Sequence, residues 1–399
     1  MGYLNNIFEN QRKIIFLLMI LVILNLFIFS AIFGFHATSD TDSFLMAIDF
    51  FKGKSDIIYP NRYLNPFYAV VASQILPFLN SAQSIVVINI IFYTGLIFLT
   101  YGLVRRVFKN NTTGFIAALL IMTAYPILRY GLLQVQDMGG YFWFVLTIYA
   151  AWRWYEDKNW RWLAIGSIST AFGVLTKESG CMGALFAGLI LLTEQGIRVR
   201  KKIALILGFA LLPFITIVIN ALRGYDVGYS SARWFIENWQ VYAPGNYTIV
   251  KWLGVNLTTY NIAWIFIIYG LYLLVKNRKS INPDIKKYLV LVIPSSASYF
   301  AWPMFIGRTV FISAWFFIPI AAFALSSLID SHKKNKLIGI CSVVLCVIAP
   351  YILQYIIAYA PLFSILEVCH YNPVCSAQYF VAHWHEFSRT GVYSAPLVP

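Results

Sequence analysis

The chain has 399 residues, of which 60% are hydrophobic and 12% are charged, whereas an average soluble domain has about 45–50% apolar and about 25% charged residues. This composition argues against a soluble globular domain, a disordered chain and a coiled coil, and a mean hydropathy of +0.70 indicates a helical membrane protein. The net charge of +14 would suggest a nucleic-acid partner in a soluble protein, so its distribution along the chain has to be considered first.

Eleven apolar runs, each bounded by polar or charged residues, are interpreted as membrane-spanning helices. The first follows Arg12 and Lys13 and has no small-residue cleavage site after it, which indicates a retained span rather than a signal peptide. The predicted spans lie at residues 14–34, 82–104, 113–130, 138–155, 162–176, 180–193, 203–222, 260–275, 288–303, 309–329 and 337–358. We therefore predict an all-α, polytopic membrane protein with about 11 transmembrane helices.

The basic residues are distributed unevenly between the loops that these spans create. With a cytoplasmic amino terminus, 20 of the 30 Lys and Arg residues and only six of the 16 acids fall on the inner side, which then carries the whole net charge of +14. Basic residues in short loops favour the cytoplasmic side of a membrane. The charge is thus a topology signal that predicts a protein of the cell membrane, in contact with membrane lipids, and no nucleic-acid partner.

One apolar run, at residues 64–79, does not fit the series of spans. It has only 16 residues, about 24 Å of helix, and contains Pro66 and Pro77. If it crossed the membrane, every later basic loop would lie outside. We therefore expect an interfacial or re-entrant helix within the first outer loop, residues 35–81. The prediction is one membrane domain, residues 1–358, with a second large outer loop at 223–259 and an extracytoplasmic tail at 359–399.

Two carboxylates, Asp40 and Asp42, directly follow the first span in a segment whose apolar residues recur at helical spacing. This pattern predicts an amphipathic helix in the first outer loop. A carboxylate beside a lipid surface can accept a proton from a sugar hydroxyl or hold a divalent cation, Mg²⁺ or Mn²⁺, against a phosphate. The alternative is that Asp42 only caps the helix, with Ser39 as the N-cap residue.

An Asp-x-Asp pair in the first outer loop resembles the glycosyltransferase-C superfamily. The resemblance extends to a proline and a basic residue that close the same loop, in residues 59–66, and residues 173–180 are similar to a stretch of the protein O-mannosyltransferases and the lipid A aminoarabinose transferases. It implies an enzyme with many spans that takes a sugar from a polyprenyl-phosphate donor, with a carboxylate of this loop as the base. Asp42 is preferred because it adjoins the helix and matches the spacing to Ala47 in similar enzymes.

Three outer basic residues, Lys177, Arg308 and Arg62, are candidates to bind the donor phosphate, since cationic side chains bind phosphate oxygens strongly. For Lys177 the alternative is a structural pair with Glu178 that closes a helical hairpin. For Arg308 it is anchoring at the membrane boundary.

Asp137 and Glu178 are candidates for a second acidic site, facing the acceptor or a metal ion. Because the start of a helix favours an acid, capping is the alternative explanation for Asp137.

The tail contains Cys369 and Cys375, which face an oxidising exterior in this topology and predict a local disulfide. A zinc site with His383 and His385 is the alternative, although the cysteine spacing is wider than in common structural zinc sites.

The leading hypothesis is an inverting glycosyltransferase that transfers a sugar from a polyprenyl-phosphate donor to a lipid, glycan or protein acceptor on the outer side of the membrane. One rival is a transporter or flippase for lipid-linked sugars, which the absence of repeats and of mid-span acids argues against. The other is a polysaccharide polymerase or ligase, which would more naturally have an outer loop rich in Arg and His.

Overall fold

A computed structural model describes residues 10–38, 40–229, 249–302, 306–330 and 333–359, together with 232, 233, 235–237, 239 and 240. The predicted disulfide and zinc residues of the tail, Cys369, Cys375, His383 and His385, lie outside the described residues, as does Ser39. The described residues contain helices and turns but no strand, which confirms the predicted all-α class.

The helices follow one another with short connections. Those of the first half are α1 (Gln11–Ile32), α2 (Thr41–Phe51), α3 (Pro60–Leu64), α4 (Phe67–Gln74), α5 (Ser81–Phe108), α6 (Asn111–Met122), α7 (Asp137–Asp157), α8 (Trp160–Thr176) and α9 (Gly183–Thr193). Those of the second half are α10 (Val199–Asp226), α11 (Ile249–Tyr260), α12 (Ala263–Lys276), α13 (Pro283–Ala297), α14 (Gly307–Val310), α15 (Ala314–Ile329) and α16 (Lys333–Tyr359).

Asparagine side chains fix the start of several helices. Each accepts a hydrogen bond from a backbone N–H of the first turn, which would otherwise lack a partner. At α5 the cap is reciprocal, because the side chain of Gln83 also accepts from the backbone N–H of Asn80. The capping residues are Asn10, Asn80, Asn110, Asn159 and Asn282.

Five stretches of helix in the described residues are long and apolar enough to cross a membrane, or six if α11 and α12, which meet at 93°, form one broken span. The five are α1, α5, α10, the segment Gly307–Ile329 and Asn335–Ile356 within α16. Every predicted span falls on a helix, but this count does not confirm the predicted number of eleven. The structure therefore supports a multi-pass helical membrane protein without fixing the number of spans.

Helix α7 lies inside the bundle. It packs against α5, α8 and α9, and most of its residues are buried, including the indole of Trp152. In contrast, α1, α10 and α16 expose many large apolar side chains, as expected for helices that face lipid. The amino-terminal end of α7, which begins at Asp137, is thus buried within the bundle.

The run at residues 64–79 forms α4, a helix of only eight residues, and is too short to span a membrane. The predicted amphipathic helix of the first outer loop is also present, as α2, which buries Phe44, Ala47 and Ile48. Asp40 is its N-cap residue, but its carboxylate makes no capping hydrogen bond. Asp42 lies in the first turn and is exposed.

Ion pairs join the helix ends that the charge count places in the cytoplasm. Lys109 after α5 binds Asp284 at the start of α13, at 2.8 Å. Glu194 after α9 binds Lys158 and Lys287. These contacts bring the predicted inner loops together at one end of the bundle, as expected of helices that run alternately up and down. The segments predicted to lie outside meet at the opposite end.

Candidate active site

A cavity of about 240 Å³ lies where the predicted outer segments meet. Its wall comes from the first outer loop, the start of α7, the connection between α8 and α9, the residues that follow α10, and the region between α13 and α14 with α14 itself. It contains six charged side chains, three acidic and three basic. The lining residues are Asp40, Phe44, Asn61, Arg62, Asn65, Gln136, Asp137, Thr176, Lys177, Glu178, Tyr229, Trp302, Ile306, Arg308 and Thr309.

A buried hydrogen-bond network fixes the chain just before Asp137. The hydroxyl of Tyr68 on α4 accepts from the backbone N–H of Gly139 at 3.0 Å and donates to Oδ1 of Asn89 on α5 at 2.6 Å. The amide nitrogen of Asn89 donates to the carbonyl oxygens of Leu133 and Val135, at 2.6 and 2.9 Å. Because fully satisfied buried networks are rigid, this one sets the position of the start of α7.

Four of the charged groups form a connected set of ion pairs. Nη1 of Arg308 lies 2.8 Å from Oδ2 of Asp40 and 3.9 Å from Oδ2 of Asp137. Nζ of Lys177 binds Oδ1 of Asp137. The carboxylate of Asp137 is only 2% exposed, and a buried carboxylate is stable only when it is paired. The two cations therefore share Asp137 as a buried counter-ion.

Asp40 is the accessible acid of this set. Its side chain is 38% exposed. Burial raises the pKa of its carboxyl group, but the charge and hydrogen bond of Arg308, helped by Arg62 and Lys177, outweigh burial and hold the pKa below its usual value. Asp40 is therefore an ionised carboxylate at neutral pH. Asp42, which the sequence favoured as the base, is exposed and does not line the cavity.

Arg62 on α3 is held differently from the other two cations. Its Nε donates to Oγ of Ser43 at 2.9 Å, and its guanidinium group stacks 3.7 Å from the ring centre of Phe44. Within the described part of the chain it forms no ion pair with an acidic residue. The outer nitrogens of Arg62 are thus available to an anion in the cavity.

Lys177 and Glu178 occupy the tight connection between α8 and α9. Gly173 and Gly180 make this connection possible, since a Cβ atom on Gly173 would lie 2.5 Å from the carbonyl carbon of Gly180. Burial lowers the pKa of Lys177, whereas Asp137 raises it. The alternative of a Lys177–Glu178 pair is not observed: Lys177 binds Asp137, and Glu178 accepts from Nδ2 of Asn65 at 3.4 Å.

The cavity also contains polar and aromatic residues that the sequence interpretation missed. Asn61 lies beside Arg62 on the same short helix and Asn65 is the C-cap residue of that helix; both present amide groups, while Tyr229 and Trp302 supply aromatic rings. For Asn61, Asn65 and Trp302 the available signal was their position next to Arg62 or Arg308, whereas Tyr229 follows α10 and had no such signal. Amides and aromatic rings are typical of sites that bind hydroxyl-rich, partly apolar ligands.

The acids of the cavity do not offer a ready site for a divalent cation. No group of three or more His, Cys, Asp or Glu side chains suited to a metal ion occurs within the residues that the structure describes. Asp40 and Asp42 diverge, and the oxygens of Asp40 and Asp137 are bound by Arg308 and Lys177. This donor set does not fit the predicted Mg²⁺ or Mn²⁺, and no step below uses one.

Comparisons with known proteins agree with the predicted resemblance. Residues 66–219 match the family model of the dolichyl-phosphate-mannose-protein mannosyltransferases. The apo oligosaccharyltransferase of Archaeoglobus fulgidus superposes with a TM-score of 0.53 and 16% identity, over 93% of this chain and 56% of that chain. The oligosaccharyltransferase AglB of the same organism, in complex with an inhibitory peptide and a dolichol-phosphate, gives 0.49 and 15%, over 86% of this chain and 52% of that chain. No curated protein matches the chain.

The family match and the first superposition confirm the predicted resemblance to the glycosyltransferase-C superfamily, and the fold is similar to that of the apo oligosaccharyltransferase. The chain spans about half the length of the solved structures that it matches. The matched family region includes Asp137, Lys177 and Glu178, whereas Asp40, Arg62 and Arg308 lie outside it.

Proposed function

We propose that this glycosyltransferase-C-type chain is an inverting enzyme that transfers a sugar from a polyprenyl-phosphate donor to an acceptor hydroxyl. The observation that carries the proposal is the convergence of an ionised, accessible carboxylate, Asp40, with three cations, Arg62, Lys177 and Arg308, in one cavity. The description of the matching family, which names a dolichyl-phosphate sugar, supports a lipid-linked monophosphate donor.

The reaction takes place on the outer side of the membrane in this proposal. Every segment that lines the cavity belongs to a loop or helix end that the distribution of Lys and Arg assigns to the outside. The ion pairs between the opposite helix ends involve the loops assigned to the cytoplasm. The side of the membrane thus follows from the same charge asymmetry that gives the chain its net charge.

Asp40 is the base in this mechanism. Its carboxylate removes the proton of the acceptor hydroxyl, whose oxygen attacks the anomeric carbon from the face opposite the phosphate. The bond from the anomeric carbon to the phosphate oxygen breaks, and the phosphate leaves with the electron pair. Since a phosphate is a good leaving group, no acid is required, and cations that stabilise its developing charge are sufficient.

The three cations have different roles in this proposal. Arg62, which forms no close ion pair with an acid among the described residues, binds the donor phosphate first. Lys177 and Arg308 line the same cavity and stabilise the negative charge that develops on the leaving phosphate, while Asp137 binds both cations and fixes their positions. Because Lys177 is assigned to the charge that develops on the leaving phosphate, Lys177→Ala should lower kcat and kcat/KM by a similar factor.

A matched pair of variants tests the proposal. The full chain, purified in nanodiscs, is given short-chain polyprenyl-phosphate sugars and a set of hydroxyl acceptors. Asp40→Asn should lower sugar transfer by about 10²–10⁴-fold, because general-base catalysis contributes that much. Asp42→Asn, two residues away and exposed, is the control and should transfer sugar near the wild-type rate. Equal activity of the two variants would remove Asp40 from the role of base.

The same assay separates the rival functions. A flippase produces no glycosylated acceptor from a monophosphate donor, and a polymerase or ligase requires a diphosphate-linked oligosaccharide. Transfer by the purified chain from the monophosphate donor therefore supports the proposal. Transfer only from a diphosphate-linked donor, or none with any donor while the protein is folded, would refute it.

A further inference from the structure

A narrow crevice opens beside the cavity, behind Lys177 and Arg308. Its volume is about 20 Å³, and its remaining wall comes mainly from the turn after α8, the turn after α13 and the turn before α15. It shares four residues with the cavity, including Lys177 and Arg308, so the two spaces adjoin. A space of this size admits about one water-sized atom and no larger group.

Ser179 contributes a hydroxyl group to this crevice. Its Oγ atom is buried and has no hydrogen-bond partner in the described structure. Such an orphaned group is uncommon, because a buried donor without a partner loses about 1–3 kcal/mol relative to a satisfied one. The other serine of the crevice, Ser298, is satisfied: its hydroxyl donates to the carbonyl oxygen of Ser295 at 2.7 Å.

The position of Ser179 is fixed by close packing. It lies in the 3₁₀ turn Glu178–Cys181, pressed against the start of α7, where a Cβ atom on Gly140 would lie 2.7 Å from its Oγ and 3.4 Å from Cβ of Lys177. The missing side chain of Gly140 is what allows this approach. The turn therefore holds the hydroxyl close to the chain of Lys177.

We propose that Ser179 donates a hydrogen bond to a phosphate oxygen of the lipid-linked donor, which enters the crevice between Lys177 and Arg308. This assignment rests on the proposed function and adds a neutral donor to its three cations. The size of the crevice fits one non-bridging oxygen, and its two cations attract an anionic oxygen rather than a sugar hydroxyl. Ser179 is thus a residue that recognises the phosphate and not the sugar.

Binding of a short-chain polyprenyl phosphate that carries no sugar tests this contact. Ser179→Ala should weaken binding about 10-fold or more, because hydrogen bonds to charged groups are worth about 1.5–3 kcal/mol. Ser179→Cys, which keeps the volume but donates poorly, should weaken it similarly. Ser327→Ala is the matched control, since its hydroxyl donates to the carbonyl oxygen of Phe323 at 2.8 Å within α15 and it lines neither the crevice nor the cavity; it should bind like the wild type. The two Ser179 variants should weaken the sugar-bearing donor by the same factor.

If both Ser179 variants bind the polyprenyl phosphate with wild-type affinity, the inference is overturned, and the crevice is then a site for a water molecule. An equal loss in Ser327→Ala would overturn it too, because the effect would then not be specific to the crevice. The sugar-transfer assay keeps the two proposals apart. If wild-type protein transfers sugar and Ser179→Ala binds the phosphate normally, the inference fails and the proposed function stands. If no transfer occurs but binding depends on Ser179, the phosphate contact stands and the proposed function fails.

Discussion

Removal of Arg308 should shift the pH dependence of the enzyme, and the structure gives the direction. In the intact site, burial raises the pKa of Asp40, and Arg308 outweighs this effect through a contact of 2.8 Å. Arg308→Ala leaves the burial in place and removes the largest opposing charge. Arg62 and Lys177 also lower the pKa of Asp40 and remain. The pKa of Asp40 should therefore rise in the variant.

The size of the shift follows from the charge separation. Two unit charges about 4 Å apart interact by about 4 kcal/mol at an effective dielectric constant of about 20. The carboxylate of Asp40 is 38% exposed, so solvent screening reduces this to about 1–2 kcal/mol, which is enough to move the acid limb of a pH profile measurably. Because the pKa of the folded protein lies below the ordinary value of 3.8, the ion pair stabilises the fold above that value. This stabilisation is lost as the pH falls through the lowered pKa.

The assay is the pH profile of kcat/KM for the donor, which reports the ionisation of the free enzyme. The acid limb of Arg308→Ala should lie at a higher pH than that of the wild type, on top of a lower overall rate. Arg233→Ala is the control, since Arg233 pairs with Glu237 on the surface and does not line the cavity. An acid limb that stays unchanged in folded Arg308→Ala would show that Asp40 is not the base.

Three further results are expected. Tyr68→Phe should lower the free energy of unfolding by about 1–3 kcal/mol, seen as a lower Tm in detergent, because it leaves a buried N–H and a buried amide oxygen without a partner; an unchanged Tm would contradict this. Gly270→Ala should lower the Tm, since the new Cβ atom would lie 2.4 Å from a carbonyl oxygen of α15. Gly208→Ala is the control and should leave the Tm unchanged, because the space around Gly208 is open. Equal Tm values for the two variants would refute the packing argument. Cysteines placed at Ser55 and Ser388 should both react with an impermeant reagent in intact cells, and labelling of only one would refute the arrangement of eleven spans.

The charged residues of the cavity could be picked out from the sequence, because a charge next to an apolar run costs free energy unless it is paired or functional. Asp40, Arg62, Lys177 and Arg308 were all selected on this ground or by resemblance, and all four line one cavity. The apolar runs also predicted where the helices lie. The number of membrane crossings was harder to predict from the sequence. Most of α7 is buried in protein, and hydropathy alone does not distinguish a buried helix from one that faces lipid.

Which charges meet could not be predicted, because pairing depends on contacts between distant segments. The spacing of Asp40 and Asp42 showed that they point in different directions, but only the docking of α14 against the first outer loop decides which one faces Arg308. In the same way, sequence proximity suggested that Lys177 pairs with Glu178. The close approach of the turn after α8 to Gly140 instead brings Lys177 to Asp137.

Four of the six charged side chains in the cavity are joined by ion pairs, although each was picked out of the sequence independently. Asp137 is bound by both Lys177 and Arg308, and Arg308 also binds Asp40. Removal of one of these charged side chains therefore leaves its partner as an unpaired buried charge, which is destabilising, or changes the other ion pair of that partner. Variants at Asp40, Asp137 and Arg308 should accordingly show effects that do not add. A single substitution measures the reorganised set of ion pairs, so the base is better identified by the acid limb of a pH profile than by the loss of rate alone.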